Sequence, residues 1–275
     1  MKDLSLESKV KLNNGVDIPV LGLGTYLATS QVGYEAVRHA LKIGYRHIDT
    51  AAFYGNEKEI GRAISDDDVP REEIFVTTKL WNSNHGYENA LAAFEESIEK
   101  LGLEYIDLYL IHWPVTGLRQ ESWKALEEIY TDGRCKAIGV SNYTIEHLEE
   151  LLKTAKIIPV VNQVEFHPFL FQKELLDYCR TKEIWIEAYS PLTKGQKLGN
   201  LTLKEIAGKY QKSTAQILIR WCLQRDTIVL PKSTNVSRIM ENAEVFDFTI
   251  SNDDLKTLDA LNQDWHVTWD PTNEP

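Results

Sequence analysis

The 275-residue chain carries 30 Lys and Arg against 41 Asp and Glu, a formal net charge of −11, and is 43% hydrophobic and 26% charged. That is ordinary globular usage, with length enough for a large buried core. So acidic a chain is a poor general binder of nucleic acid or anionic membrane, and any phosphate-bearing ligand must be met by a local basic pocket.

The polar opening Met1-Lys2-Asp3-Leu4-Ser5 leads into no apolar stretch, so no secretory leader is expected. No run reaches the ~18 apolar residues of a membrane-spanning helix. Cys135, Cys179 and Cys222 are too widely spaced for a disulfide framework or a zinc pattern. A reducing cytoplasm is the expected location.

The turn-like Asn13-Asn14-Gly15, between residues 10–12 and 17–19, predicts a short hairpin. Eight β-rich runs follow, at 20–24, 46–50, 74–79, 106–112, 136–141, 160–166, 184–190 and 227–232. Most are near-continuous apolar, as in strands covered on both faces. Helical patterns lie between them. Val37, Ala40, Leu41 and Gly44 follow i, i+3, i+4, i+7, as do Leu148, Leu151, Leu152 and Ala155. Tyr87, Leu91, Phe94, Ile98 and Leu101 form a longer stripe. A capping box from Thr202 to Glu205 is expected beside Leu203, Ile206, Ala207 and Tyr210, and a second, Ser251 to Asp254, before Leu255, Leu258 and Leu261. The segment 191–226 is long and carries helices, and two more helices follow the last strand.

Strand then helix, eight times, predicts an α/β protein: one (β/α)8 TIM barrel domain over residues 1–275, with an N-terminal β-hairpin and an extra C-terminal helix. An open doubly wound sheet is the rival, but eight evenly paced units favour closure.

Barrel chemistry sits at the C-terminal ends of strands. The second strand ends at Asp49 and its loop carries Tyr54; the third ends at Lys79 and the fourth at His112. A phenol with an ordinary pKa of ~10 is a weak acid near neutrality. A nearby ammonium from Lys79 is expected to lower that pKa by ~1–3. Asp49 would hold Lys79, and His112 would orient a carbonyl oxygen. The set suits hydride delivery to a carbonyl carbon, with Tyr54 protonating the oxygen. Asn142 and Gln163 each offer a donor and an acceptor, which is what a carboxamide needs. Lys232 and Arg238 bracket the start of a helix predicted around 236–245, a suitable place for phosphate.

Gly22-Leu-Gly24 begins like a dinucleotide fingerprint but lacks the third glycine, so no Rossmann site is expected; both glycines are expected to let backbone approach the barrel mouth. With no His-Glu-x-x-His, no metal is expected. Tyr26, Phe53, Trp81 and Trp113 are expected to ring an aromatic pocket. Trp265, His266 and Trp269 either anchor the tail or fold over that pocket.

The segments Gly22–Tyr26, Gly44–Ala52, Lys79–Trp81, Asp107–Pro114, Ile138–Asn142, Asn162–Glu165 and Ile228–Ser233, in this order, resemble the aldo-keto reductase family, especially its short bacterial diketogluconate- and glyoxal-reductase-like members. The resemblance implies an NADPH-dependent, cytoplasmic reductase of aldehydes and reactive ketones: dicarbonyls, aryl aldehydes and keto sugars. It makes Asp49, Tyr54, Lys79 and His112 the catalytic four, with Tyr54 as proton donor. It puts Gly24, Thr25, Tyr26 and Asp49 beside the cofactor, Ser141, Asn142 and Gln163 on the nicotinamide amide, and Tyr189 against the nicotinamide ring. Ser190 and Leu192 fall in the pyrophosphate loop. Lys232, Ser233, Thr234, Arg238, Glu241 and Asn242 fall in the adenosine and 2′-phosphate site. Tyr26, Phe53, Trp81, His112 and Trp113 would meet the substrate. The implied partner is a small-molecule carbonyl compound, with no nucleic acid or membrane, and the chain is expected to act as a monomer. Longer members carry a larger loop near the tail, so an open pocket is expected. A nucleotide-binding regulatory subunit, or a phosphate-binding lyase or isomerase, are the rival uses of such a barrel.

Overall fold

A computed structural model describes residues 4–273; the two ends of the expected 1–275 domain lie outside the described residues. The hairpin forms as expected. Strand β1 (Lys9–Lys11) pairs antiparallel with β2 (Asp17–Pro19), and Gly15 takes the left-handed φ of 88° that the turn requires.

Eight parallel strands then build one sheet: β3 (Leu23–Gly24), β4 (His47–Asp49), β5 (Phe75–Leu80), β6 (Leu108–Ile111), β7 (Ile138–Ser141), β8 (Val161–Glu165), β9 (Trp185–Tyr189) and β10 (Ile228–Leu230). They lie in sequence order, and the first and last join. The N–H of Gly22 donates to Val229 O at 2.9 Å, that of Gly24 to Pro231 O at 3.1 Å, and that of Val229 to Val20 O at 2.9 Å. The sheet is a closed barrel, not the open rival.

Helices α1 (Ser30–Ile43), α2 (Glu57–Ser65), α3 (Tyr87–Leu101), α4 (Arg119–Thr131), α5 (Ile145–Leu152) and α6 (Lys173–Thr181) cross between strands. Two helices, α7 (Leu201–Tyr210) and α8 (Thr214–Gln224), fill the long segment before β10; α9 (Val236–Ala243) and α10 (Asn252–Asp259) follow it. None of the described helices is long and apolar enough to cross a membrane.

Neither expected capping box forms in full. Asn200 starts α7 by accepting the Leu203 N–H at 3.0 Å, so Thr202 falls inside the helix. Asn is a strong cap, and it comes two residues earlier. Ser251 does cap α10, accepting the Asp254 N–H at 3.2 Å. The Asp254 carboxylate does not reach back to the Ser251 N–H, because Lys209 and Tyr210 hold it at 2.7 and 2.8 Å, and the Tyr210 hydroxyl accepts that N–H instead.

Two apolar regions result. The larger lies between sheet and helices. The smaller fills the lower barrel with Phe75, Leu108, Leu110, Val161 and Ile228, and the hairpin closes it with Leu12 and Ile18. Gly22 belongs to this packing rather than to the mouth. A Cβ there would lie 2.7 Å from Leu230 and 2.8 Å from His47. Gly24 alone meets the mouth, beside Lys232.

Candidate active site

Above the apolar floor, the inward side chains turn polar. Lys79 and Asp49 are both buried. The Lys79 ammonium donates to Asp49 Oδ1 at 2.7 Å, Asp49 Oδ2 at 2.8 Å and Thr50 O at 2.8 Å. Three acceptors for three N–H groups is what a buried ammonium needs.

Tyr54 ends the 3₁₀ turn Ala52–Tyr54 just past β4. Its ring centre lies 5.2 Å from Lys79 Nζ and 5.8 Å from the His112 ring. Asn56 braces this turn. It donates to Thr25 O and Ala28 O, both at 2.9 Å, and accepts the Thr50 hydroxyl at 2.8 Å. The loops after β3 and β4 are thereby tied, with the Tyr26 ring 5.1 Å from Tyr54. Thr25 adds its hydroxyl to Asp49 O at 2.9 Å.

The expected lowering of the Tyr54 pKa does not occur. Burial, then the charge of Asp49, with Tyr26 and Glu187 behind, push the phenol well above its ordinary value. Lys79 is paired with Asp49 and has no free N–H to offer. Tyr54 is therefore a fully protonated phenol. His112 goes the other way. Burial and then the Lys79 charge hold it well below the usual histidine range, so the ring is neutral. Its Nδ1 is buried without a hydrogen-bond partner. A neutral imidazole donates a hydrogen bond but is a poor proton source.

Ser141, Asn142, Gln163 and Tyr189 come together beside this set. Gln163 gives its amide N–H groups to Asp49 Oδ2 at 2.8 Å and Glu187 Oε2 at 2.7 Å. Its Oε1 takes no hydrogen bond from a described residue and is left as an acceptor. Asn142 donates to His112 O at 2.9 Å and Ser141 Oγ at 3.2 Å, and Ser141 donates to Gln163 O at 2.7 Å. The Tyr189 hydroxyl donates to Asn142 Oδ1 at 2.8 Å. Asn142 and Ser190 both take left-handed φ, 63° and 49°, conformations that proteins concentrate at functional sites.

The aromatic ring also assembles. Phe53 stacks on Trp81 at 3.8 Å, and Trp81 lies 5.3 Å from His112. The tail resolves both ways at once. Trp265 packs against Phe169 and His167 as an anchor. Trp269 faces Trp113 at 5.4 Å and Trp81 at 6.5 Å, adding a wall to the pocket that was expected to be open.

At the other end of the mouth lie Lys232, Ser233 and Thr234, then α9 with Arg238, Glu241 and Asn242. Asn235 caps α9, accepting the Arg238 N–H at 3.1 Å. Neither Lys232 nor Arg238 forms an ion pair with a described carboxylate. Leu192 lies on the intervening loop, where Thr193 and Lys194 also take left-handed φ, 54° and 47°.

Glu187 and Glu165 were not foreseen as site residues. Both sit inside strands and are buried. Their signal was a carboxylate two residues from a site residue on the same strand, Gln163 and Tyr189, which places it on the same face.

The parallel barrel gathers Asp49, Tyr54, Lys79 and His112 at its C-terminal rim. The pattern of the Aldo/keto reductase family matches residues 20–263, and the chain belongs to that family. It is 52% identical over 268 residues to the glyoxal reductase of Bacillus subtilis, covering 97% of each chain. It resembles the crystal structure of an aldo-keto reductase from a deep-sea metagenome library, with a TM-score of 0.94 and 49% identity over 96% of this chain and 98% of that one. An aldo-keto reductase crystallised with NADPH matches with a TM-score of 0.91 and 35% identity, over 95% and 90% of the two chains.

Proposed function

We propose that this chain is an NADPH-dependent reductase of aldehydes and reactive ketones, acting as a monomer, with residues 1–275 as one domain. The observation that carries the reading is Tyr54, a protonated phenol set between a neutral imidazole and a fully paired Lys79–Asp49 couple.

The residues fit the cofactor. Lys232 and Arg238 stand unpaired among described carboxylates in a chain of net charge −11, beside a helix N-terminus. Gln163 Oε1 and the Tyr189 ring offer an amide acceptor and a flat face for nicotinamide. When bound, NADPH supplies a hydride for a carbonyl carbon. His112 donates a hydrogen bond that sets the carbonyl oxygen. Tyr54 then gives its proton to that oxygen as negative charge develops there, and the aromatic wall keeps water out. His112 stays neutral throughout, because burial and the Lys79 charge oppose a second proton.

The glyoxal reductase relative favours dicarbonyls, and the aromatic pocket favours aryl aldehydes. The test is NADPH oxidation by the purified protein with methylglyoxal, benzaldehyde, a diketo sugar acid and a keto ester, repeated with NADH. NADPH-selective turnover of at least one supports the reading. Binding of NADPH without turnover points to a regulatory subunit, and sedimentation shows whether the chain is a monomer.

A further inference from the structure

The tail reaches the nicotinamide side of the site through a row of four oxygens. Asn142 Oδ1 lies 2.8 Å from the Tyr189 hydroxyl, that hydroxyl 2.9 Å from Thr268 Oγ1, and Thr268 Oγ1 2.5 Å from Glu165 Oε2. The row makes three contacts, and its two hydroxyls carry one proton each.

The two ends contribute none. Asn142 is fixed with Oδ1 toward Tyr189, because its Nδ2 donates to His112 O and Ser141 Oγ. Glu165 accepts the Val267 N–H at 2.7 Å and the His167 Nε2–H at 2.9 Å on Oε1, and the Thr268 N–H at 3.0 Å on Oε2. His167 must be the Nε2–H tautomer, since its Nδ1 accepts the Leu170 N–H at 3.1 Å. Burial alone would raise the Glu165 pKa, but these bonds outweigh it and hold the carboxyl ionised. The Thr268 proton therefore goes to Glu165, the charged acceptor. Tyr189, a phenol that burial keeps protonated, has one proton and two acceptors.

We infer that Thr268 is a positioning residue for the cofactor: it is the second acceptor, taking the Tyr189 proton when a carboxamide N–H occupies Asn142 Oδ1. This rests on the proposed NADPH dependence, with the nicotinamide amide at Asn142 as the family resemblance implies. Without Thr268, the Tyr189 proton stays on Asn142 Oδ1 and must share that oxygen with the carboxamide, which weakens the bond the carboxamide makes there. With it, binding of nicotinamide shifts one hydrogen bond from barrel to tail. The segment that carries Trp269 is then held more firmly once the cofactor is in place.

The test is binding, measured without substrate. The probes are NADPH and 2′-phospho-ADP-ribose, which lacks the nicotinamide. Thr268→Val is expected to weaken NADPH about five- to tenfold, the size of one net hydrogen bond, and to leave the fragment within twofold. Thr268→Ser restores NADPH binding. In a Tyr189→Phe background, which has no proton to place, Thr268→Val has no further effect. Equal weakening of both probes, no weakening of either, or a Thr268→Val effect that persists beside Tyr189→Phe would overturn the inference and leave the tail a structural strap. Failure of the wild type to bind NADPH while binding the fragment, or to bind either, would overturn the proposed function and this inference with it.

Discussion

Lys79 lies 5.2 Å from the centre of the Tyr54 ring, yet its three N–H groups go to Asp49 Oδ1, Asp49 Oδ2 and Thr50 O. Proximity of an ammonium does not make the phenol more acidic when a carboxylate holds that ammonium more closely. Asp49 instead adds to the burial that raises the Tyr54 pKa.

Asp49→Asn removes that raising charge and frees a Lys79 N–H. The wild type should show no alkaline loss of kcat below about pH 10, the ordinary phenol range. With Tyr54 as the proposed proton donor, any alkaline loss in the variant should come at lower pH than in the wild type, because the phenol pKa falls when the Asp49 charge is removed, although burial still raises it. It should also lose about 3 kcal/mol of stability, since a buried ammonium is left poorly paired. A pH series of kcat and a denaturation curve check both.

Glu187 gives the opposite pH signature in stability. Burial, then the Asp49 charge, raises its pKa from an ordinary 4.5 to about 8. The folded chain therefore binds this proton more tightly than the unfolded one. The resulting stabilisation is complete below about pH 4.5 and is lost as pH rises through about 8. Glu187→Gln cannot ionise, so its stability relative to wild type should improve steadily between pH 5 and pH 9. Urea denaturation at several pH values tests the sign.

Arg238→Ala and Lys232→Ala should weaken NADPH about tenfold or more and NADH by less than about twofold, since a charge-assisted phosphate contact is worth roughly 1.5–3 kcal/mol. Equal losses for both cofactors in a fluorescence titration would place the 2′-phosphate elsewhere.

Trp269→Ala removes one aromatic wall. Aromatic contacts contribute about 0.5–1.5 kcal/mol each. KM for benzaldehyde should rise about three- to tenfold while that for methylglyoxal stays within about twofold. Steady-state kinetics with the two substrates read the difference.

The barrel was legible because its strands are short apolar runs at even spacing, and the Asp49, Tyr54, Lys79 and His112 set because each follows or ends one of them. What stayed hidden depends on register and on where protons go. Gln163 pairs with Glu187, and Glu165 with Tyr189, across β8 and β9. No pattern within either strand announces that pairing. Thr268 lies in an irregular tail, where no periodicity points it at Glu165 and Tyr189. The direction of the Tyr54 shift turned first on its burial and then on the Asp49 charge, and residue types alone suggested the reverse. The caps of α7 and α10 were misread for a similar reason: Asn200 starts its helix earlier, and Lys209 and Tyr210 claim the Asp254 carboxylate.

The central claim is that Tyr54 supplies the proton in carbonyl reduction. Its most direct measurement is single-turnover oxidation of bound NADPH by methylglyoxal, in wild type and in Tyr54→Phe, with NADPH affinity measured separately. The account predicts a loss of at least about a hundredfold in the hydride-transfer rate, the scale of general acid catalysis, with NADPH affinity unchanged within about twofold. A Tyr54→Phe variant that binds NADPH and reduces methylglyoxal at near wild-type rate would contradict it.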